Sequence, residues 1–282
     1  MTVSADILRK RGEYDADQAY FDLLLEWQLT GRWRPRVEGI LREIRRHLPR
    51  QARVLDVGCA IGTFAVELAR RTDAGVVALD FSVTALRTAQ QLAREARLAD
   101  RVAFLAGAAE VTGLRSASFD LVIAADVIEH LVDPDAFLRE VVRLLRPGGV
   151  LVLESPNTLF RQFPAYPRLR RLADRLGLQD SRFICKIPDG LDYGHYHIAL
   201  RSYPELLEML RGAGFVVVSH RPFGWWLELR GLDRITRAAC RAVRPFWPAA
   251  SYYADTDVLL VARRPSSAPR RGSWRRWKRN AG

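Results

Sequence analysis

The chain has 282 residues, 49% of them hydrophobic, and a formal net charge of +12. That length suffices for one elaborated α/β core, and no apolar run reaches the roughly 18 to 20 residues that a transmembrane helix needs. Cys59, Cys185 and Cys240 are widely spaced and form no Cys-x-x-Cys pair, which argues against zinc and for a reducing cytoplasm. Residues 1–10 lack the apolar core of a signal peptide, so we expect a cytoplasmic protein.

Two helices are predicted within residues 16–49, because apolar side chains recur there at helical spacing. Tyr20, Leu23, Leu24, Trp27 and Leu29 form the first apolar face, and Val37, Ile40, Leu41, Ile44 and Leu48 form the second. The turn between the helices is basic and contains Arg32, Trp33, Arg34 and Arg36. It is either a solvated surface turn or a source of an arginine for an anionic group.

A buried strand then runs into a glycine turn that opens a helix. The strand is Val54 to Val57, and Gly58 and Gly62 permit a sharp turn against which a ligand can lie. A second strand, Gly75 to Leu79, ends in Asp80, about 20 residues beyond the first glycine, where doubly wound folds place the acid that binds a ribose. The junction is therefore predicted to hold a nucleoside.

The glycine pattern also narrows the choice of nucleoside. A dinucleotide fingerprint needs glycine at two further places, which are Ala60 and Thr63 in this chain. A nicotinamide dinucleotide is therefore disfavoured, because its pyrophosphate requires close approach to the backbone.

Later segments continue the alternation of strands and helices. Strands are predicted at Val102 to Leu105, at Phe119 to Ala125, after Arg146-Pro147-Gly148-Gly149, after Gly214-Phe215 and at Asp257 to Ala262. The third strand is followed by Gly107-Ala108-Ala109-Glu110, and the fourth by Asp126 and the Glu129-His130 pair.

The segment at residues 54–64 resembles motif I of class I S-adenosylmethionine-dependent methyltransferases, whose cofactor carries no phosphate. The later segments follow in the order typical of that family, and the resemblance covers about 210 residues, from Val54 to Ala262. It implies an α/β fold with a doubly wound, mostly parallel, seven-stranded Rossmann-like sheet preceded by N-terminal helices. The Glu129-His130 pair is similar to that of small-molecule O-methyltransferases of the ubiquinone-biosynthesis type.

The resemblance also implies which residues contact the cofactor, S-adenosyl-L-methionine. The implied set is Asp56, Gly58, Ala60, Gly62, Asp80, Phe81, Ala109, Glu110 and Asp126. An aspartate is common in the family where this chain has Ala108, so adenine recognition is expected to depend on backbone amides and Glu110. Asp126 either helps to place the cofactor or caps the next turn. The family's N-terminal lid also makes an arginine of the basic turn a candidate partner for the methionyl carboxylate, and a solvated turn is the alternative.

The same resemblance divides the chain into parts. Residues 1–50 are expected to form a helical lid, 51–262 the cofactor-binding domain and 263–282 a basic tail. Residues 155–200 are interrupted by prolines and are predicted to be an insertion beyond the carboxyl end of strand five. Ligands of open parallel sheets bind over that edge, so the insertion is expected to select the substrate.

Two histidines are candidates for catalysis. His130 is the better general base, because an imidazole that titrates near neutrality can take a proton from a hydroxyl as the methyl arrives. Alternatively, it only orients its loop. His195, close to His197, either shares this work or lines the pocket. The carboxylates after strand four match no ligand motif, so we expect no metal.

The charge is concentrated at the end of the chain. Eight cationic residues follow Ala262 without an acidic residue, and Trp274 and Trp277 lie among them. Paired tryptophans among arginines suit a lipid headgroup interface, so we expect the tail to bind the inner face of an anionic membrane. The alternative is a solvated, disordered tail.

The sequence thus predicts a methyltransferase that moves a methyl group to a small or lipophilic acceptor, foremost a hydroxyl oxygen. A quinone precursor, a glycolipid sugar and a secondary metabolite are acceptors of this kind. An RNA methyltransferase is a second interpretation that the basic composition suits, although residues 126–129 lack the signature of exocyclic amine methylation. A noncatalytic cofactor-binding protein is a third, because fold does not establish function.

Overall fold

The computed structural model describes residues 12, 18–31, 34–157, 200–223 and 257–266. Within these ranges the chain forms six α-helices, one 3₁₀ helix and seven strands. The helices are α1 (Gln18–Leu29), α2 (Arg34–His47), α3 (Thr63–Arg71), α4 (Val83–Glu95), α5 (Pro134–Leu144) and α6 (Tyr203–Gly212), and the 3₁₀ helix is Ile128–His130. The strands are β1 (Arg53–Val57), β2 (Gly75–Asp80), β3 (Val102–Ala106), β4 (Phe119–Ala125), β5 (Leu145–Pro156), β6 (Val216–Phe223) and β7 (Asp257–Arg263).

The strands form one sheet in the order β3-β2-β1-β4-β5-β7-β6. Strands β1 to β5 pair in parallel, and β7 runs antiparallel to both of its neighbours, β5 and β6. The predicted α/β fold with a doubly wound, mostly parallel, seven-stranded sheet is confirmed. The strand order reverses between β1 and β4, and in open α/β sheets the crevice at such a reversal is where ligands bind.

Apolar residues bury both faces of the sheet. Helices α2, α3 and α4 cover one face, where Ile40 and Ala65 are fully buried, and α5 and α6 cover the other around Phe137 and Leu206. Each fully buried leucine, isoleucine or phenylalanine side chain stabilises the fold by about 1.5–3 kcal/mol, because its apolar surface is removed from water. The two packed layers hold the carboxyl ends of β1, β2, β4 and β5 in fixed relative positions.

Capping residues fix where the helices at that edge begin. The Ser82 hydroxyl accepts a hydrogen bond from the Ala85 amide at 3.0 Å and starts α4 directly after β2. The Asp133 carboxylate accepts one from the Ala136 amide at 2.8 Å, and Pro134 occupies the first turn of α5. A cap of this kind stabilises a helix by about 1 kcal/mol.

The described residues at the two ends of the predicted insertion lie close together. Strand β5 continues to Pro156, past the predicted start of the insertion at residue 155, because it stays paired with β7 as far as Asp257. Asn157 bridges to Arg201, and its side-chain oxygen accepts a hydrogen bond from the Tyr203 amide at 3.2 Å. The predicted insertion lies otherwise outside the described residues.

Two sequence-based expectations need correction. Leu29 was expected on the apolar face of α1, but it is 74% exposed at the helix end. The basic tail was expected to start at Arg263, but that residue ends β7, and the Arg264 side chain donates to the carbonyls of Val142 and Leu145. Both arginines belong to the fold because the backbone of β7 continues to pair up to this point. Residues 267–282 of the tail lie outside the described ranges.

Residues 1–11 and 13–17 of the expected lid are also outside those ranges. None of the described helices is both long enough and apolar enough to cross a membrane.

Candidate active site

The glycine turn after β1 lies against the end of β2. Gly58 has φ +65°, and its amide donates to the Leu79 carbonyl at 2.7 Å. A Cβ at this position would lie 2.6 Å from Cγ2 of Val127, so the turn tolerates no side chain there. Gly62 has φ +78°, and a Cβ would lie 2.9 Å from that of Ala89 on α4. Both glycines are required by conformation and by close packing.

The Asp80 carboxylate joins this turn to the start of α4. Oδ2 accepts a hydrogen bond from the Ala60 amide and Oδ1 accepts one from the Ser82 amide, both at 2.8 Å. Ala60 has φ +45°, an unusual backbone for a residue other than glycine, and Asp80 helps to hold it there. Asp80 is therefore part of the turn itself and ties it to the start of α4.

A second buried carboxyl group lies one strand away. Asp56 on β1 is 2% exposed, and its Oδ2 has no hydrogen-bond partner among the described residues. Burial raises the pKa of Asp56 to about 8, the Ala65 amide opposes that rise, and the charge of Asp80 adds to it. Asp56 is thus buried beside the start of α3, and the nearby charge of Asp80 further disfavours its ionisation.

Arg34 and Arg36 were expected in the basic turn, but both lie in the first turn of α2, and Arg32 and Trp33 are outside the described residues. Arg36 reaches the carboxyl ends of two strands. Its guanidinium donates to Oδ2 of Asp126 at 2.6 Å and to Oε2 of Glu154 at 2.5 Å. Asp126 follows β4 with φ +53°, and its amide donates to the carbonyl of Glu154 at 3.1 Å. The Arg36 side chain is only 17% exposed and that of Glu154 is 1% exposed. Their nearly buried ion pair holds α2 at the sheet edge.

Glu154 was not predicted as a site residue. It ends the apolar run of β5 in the same way as Asp80 ends that of β2, and this similarity was a usable signal in the sequence. Burial raises the pKa of Glu154, Arg36 opposes that rise, and Asp126 and Asp257 add to it. The side chain is 1% exposed and depends on Arg36 for its counter-charge.

His130 ends the 3₁₀ helix that follows Asp126. Its neighbour Glu129 is fully buried, accepts a hydrogen bond from the Ser155 hydroxyl at 3.2 Å, and has no partner for Oε1 among the described residues. Burial raises the pKa of Glu129, and the charges of Asp126 and Glu154 raise it further. The Glu129–Ser155 bond joins the turn that carries His130 to β5, so the histidine stands at the carboxyl edge of the sheet.

The remaining predicted residues lie around the end of β3 and beside Asp80. Ala109 is 9% exposed, and burial raises the pKa of the half-buried Glu110. Phe81 lies between Asp80 and the first residue of the α4 cap. His195 is outside the described residues, so its predicted role is untested. In the described part of the chain no group of His, Cys, Asp or Glu side chains could hold a metal ion.

The N-terminal helices lie over the glycine turn. Phe21, Leu24 and Trp27 of α1 pack with Ile61 of the turn and Ala85 of α4. The Thr63 hydroxyl at the start of α3 donates to the Gln28 side chain at 2.8 Å. The turn is therefore enclosed between the sheet edge and α1.

Comparison with known proteins bears on this arrangement. Residues 49–184 match the family model described as a methyltransferase domain. The match covers slightly less than half of the chain. The match extends from the residues just before β1 into the segment after β5, and so it includes the glycine turn, Asp80, Asp126 and Glu154.

Curated relatives support the same class. The chain is 40% identical over 101 residues to methyltransferase GfsG of Streptomyces halstedii, covering 36% of each protein. It is 36% identical over 123 residues to a ubiquinone biosynthesis O-methyltransferase of Methylobacterium nodulans, covering 43% of this chain and 48% of that protein. Norajmaline N-methyltransferase of Rauvolfia serpentina is 29% identical over 138 residues, 49% of this chain and 44% of that protein. The chain thus spans less than half the length of these relatives.

Solved structures share the fold. The [4+2]-cyclase SpnF aligns with a TM-score of 0.57 and 21% identity over 82% of this chain and 81% of that one. Phosphoethanolamine N-methyltransferase 2 of Haemonchus contortus, in complex with S-adenosyl-L-methionine, aligns with a TM-score of 0.54 and 19% identity over 81% of this chain and 52% of that one. The predicted resemblance to class I methyltransferases is confirmed by the family model and the curated relatives, and the solved structures show the same fold.

Proposed function

We propose that the protein transfers the methyl group of S-adenosyl-L-methionine to a small or lipophilic acceptor, foremost to a hydroxyl oxygen. The observation that carries this proposal is the enclosed glycine turn with Asp80 at its edge, at the point where the strand order reverses. The matching methyltransferase domain supports the reaction class. The ubiquinone-type relative, an O-methyltransferase, supports oxygen as the acceptor atom.

Each end of the cofactor has a suitable partner in this arrangement. Asp80 accepts hydrogen bonds from the ribose hydroxyls while it keeps those from the Ala60 and Ser82 amides, because a carboxylate has about four acceptor sites. The segment at Ala109 and Glu110 borders the adenine. Arg36 pairs with the methionyl carboxylate, because its guanidinium group reaches the carboxyl ends of β4 and β5. Asp126, which is 38% exposed, lies beside that arginine and faces the methionyl end.

The protein contributes alignment and a base to the reaction. The cofactor, when bound, supplies an already activated sulfonium methyl, so positioning of the acceptor accounts for most of the rate enhancement. His130 takes the proton that the acceptor hydroxyl loses as its oxygen bonds to the methyl carbon. The Glu129–Ser155 bond holds the turn on which His130 lies. His195 belongs to the segment that we propose selects the acceptor.

Two other functions deserve a direct test. An RNA methyltransferase suits the net charge of +12, and a noncatalytic or differently catalytic protein is suggested by a cyclase of the same fold. The deciding experiment offers S-adenosyl-L-methionine with a labelled methyl group to the full chain together with a lipid extract, a small-molecule extract or total RNA. Label in an extractable small molecule supports the proposal. Label in RNA, or no transfer despite cofactor binding, contradicts it.

We expect Asp80→Asn to weaken the binding of S-adenosyl-L-methionine at least tenfold. The change removes the negative charge that strengthens the hydrogen bonds from the ribose hydroxyls, each of which contributes about 1.5–3 kcal/mol. It also places the amide nitrogen of the new side chain, a donor, against one of the two backbone N–H groups. Isothermal calorimetry measures the effect. Asp73→Asn is the matched control, because the Asp73 carboxylate also accepts a backbone hydrogen bond, from Gln51 at 3.2 Å, but away from the turn. Equal affinities in the two folded variants would refute the assignment.

We further propose that the basic tail binds the inner face of an anionic membrane. Arg263 and Arg264 belong to the fold, so a truncation that spares the core removes residues 267–282. Six cations are then lost, each contributing up to about 1 kcal/mol near an anionic bilayer. We expect sedimentation with anionic liposomes to fall sharply while the affinity for the cofactor is unchanged. If the truncated protein sedimented with the liposomes as well as the full chain does, the membrane proposal would be wrong and the tail would be a solvated segment.

A further inference from the structure

A groove lies between α2 and α3, away from the candidate active site. Its volume is about 320 Å³, and it is lined by Glu38, Leu41, Arg42, Arg45, Arg46 and Arg71. Arg36 and Glu38 are two residues apart on α2 and therefore point about 200° apart around the helix, so the groove opens on the opposite side from the sheet edge. Arg45 lies about 13 Å along the helix from Arg36.

Four arginines line the groove, and among the described residues neighbouring glutamates pair with only two of them. Arg71 is held by a two-pronged hydrogen bond to Glu38, with both distances 2.8 Å, and also by Glu67. Arg46 pairs with the buried Glu43 at 2.6 Å.

The other two guanidinium groups differ, since Arg42 and Arg45 have no hydrogen bond or ion pair within the part of the chain that the structure describes. Both are exposed and line the same groove.

Helix chemistry explains only part of this arrangement. Cations in the last turn of α2 interact favourably with the helix dipole, and this accounts for Arg45 and Arg46. Arg42 lies outside that turn. Glu38, four residues before it, interacts favourably with its charge, whereas Arg45 and Arg46, three and four residues after it, lie at a spacing at which like charges repel. Arg71 comes from another helix. The convergence of all four side chains on one groove is therefore better suited to an anion than to solvent.

We propose that this groove binds a small phosphate-bearing anion, such as a diphosphate or a phosphate ester. Guanidinium groups match the oxygens of phosphate with paired N–H donors, which lysines do not. Arg71 is held by Glu38 and Glu67 and adds positive charge to the groove, while the guanidinium groups of Arg42 and Arg45 are available to bind the ligand. The volume lies at the lower end of small-molecule sites, which favours one compact anion over an extended polynucleotide. The site is independent of the proposed methyl transfer.

The test compares the full chain with two double variants. Arg42→Ala/Arg45→Ala removes the two groove arginines that make no hydrogen bond or ion pair with the described residues. Arg87→Ala/Arg94→Ala removes two exposed arginines from α4 and is the charge-matched control. The basic tail is present in all three proteins, so any anion that it attracts contributes equally. Calorimetric titration with inorganic pyrophosphate, at low salt, gives the affinity of each.

We expect saturable one-to-one binding of pyrophosphate by the full chain and by the control, and at least a tenfold loss in the groove variant. The affinity for S-adenosyl-L-methionine should agree within twofold in all three proteins. Equal loss in both variants would mean diffuse attraction and overturn the proposal, as would no saturable binding by the full chain. Binding of a short RNA and of anionic vesicles is measured in the same way. If the groove variant lost affinity for one of these partners by a larger factor than for pyrophosphate, that partner would replace the small anion in the proposal.

Discussion

His130→Ala should lower the turnover of methyl transfer about 100-fold and leave the affinity for S-adenosyl-L-methionine nearly unchanged. The reason is that general-base catalysis commonly contributes a factor of 10² to 10⁴, whereas the proposed cofactor contacts lie on other residues. The acid limb of the pH profile should also disappear, because an imidazole base must be unprotonated and an unperturbed imidazole titrates near pH 6.5. Single-turnover rates across pH 5–9 measure both effects.

A matched control separates this role from a general loss of structure. His220→Ala removes an exposed imidazole from the edge strand β6, so its turnover should equal that of the unchanged protein. If His130→Ala instead lost cofactor binding, the residue would only place its loop. Turnover within a few fold of the unchanged protein would remove His130 from the chemistry altogether.

Sequence patterns were sufficient for the sheet because local chemistry determines its elements. Apolar runs such as Val54 to Val57 must be buried on both faces, and Gly58 adopts a conformation that other residues avoid. The position of Asp80 follows from the same logic, since a carboxylate that ends a buried strand needs donors nearby. Those donors are the Ala60 and Ser82 amides, a structural role that the expected ribose contact did not include.

Contacts between distant segments could not be predicted in this way. Arg36 is separated by 90 residues from Asp126 and by 118 from Glu154, and no local periodicity encodes such pairs. Asp126 was expected to place the cofactor or to cap a turn. Its ion pair with Arg36 depends on where α2 crosses the sheet edge, which is a property of the packed structure. The same holds for Glu129, whose buried position beside Ser155 is not apparent from its sequence neighbours.

Arg36→Met should reduce the affinity for S-adenosyl-L-methionine about 10- to 100-fold and lower the free energy of unfolding by about 3 kcal/mol. The first effect follows from loss of the proposed methionyl carboxylate partner. The second follows because Glu154, which is 1% exposed, loses its counter-charge while methionine preserves the length of the side chain. Calorimetry measures the affinity, and denaturant unfolding measures the stability.

The pH dependence of the stability loss distinguishes this mechanism from simple loss of packing. Burial already raises the pKa of Glu154, and removal of Arg36 raises it further, so the folded variant holds a proton that an unfolded glutamate releases near pH 4.3. A group with a raised folded pKa loses its stabilising contribution as the pH rises. The deficit relative to the unchanged protein should therefore grow with pH only above the raised pKa of Glu154 in that protein, where the variant alone still holds the proton.

Arg71→Met provides the control, because Arg71 joins α2 to α3 from the opposite side of the helix. Its hydrogen bond lowers the pKa of Glu38, and a lowered carboxylate pKa stabilises the fold above the unfolded value and loses that effect as the pH falls. The pair is partly exposed, so its removal should cost about 1 kcal/mol or less, with no growing deficit above pH 5. If the deficit of Arg36→Met were as flat with pH as that of Arg71→Met, Glu154 would not depend on Arg36 for its charge. The ion pair would then be a packing contact, and the sheet edge would tolerate other side chains at position 36.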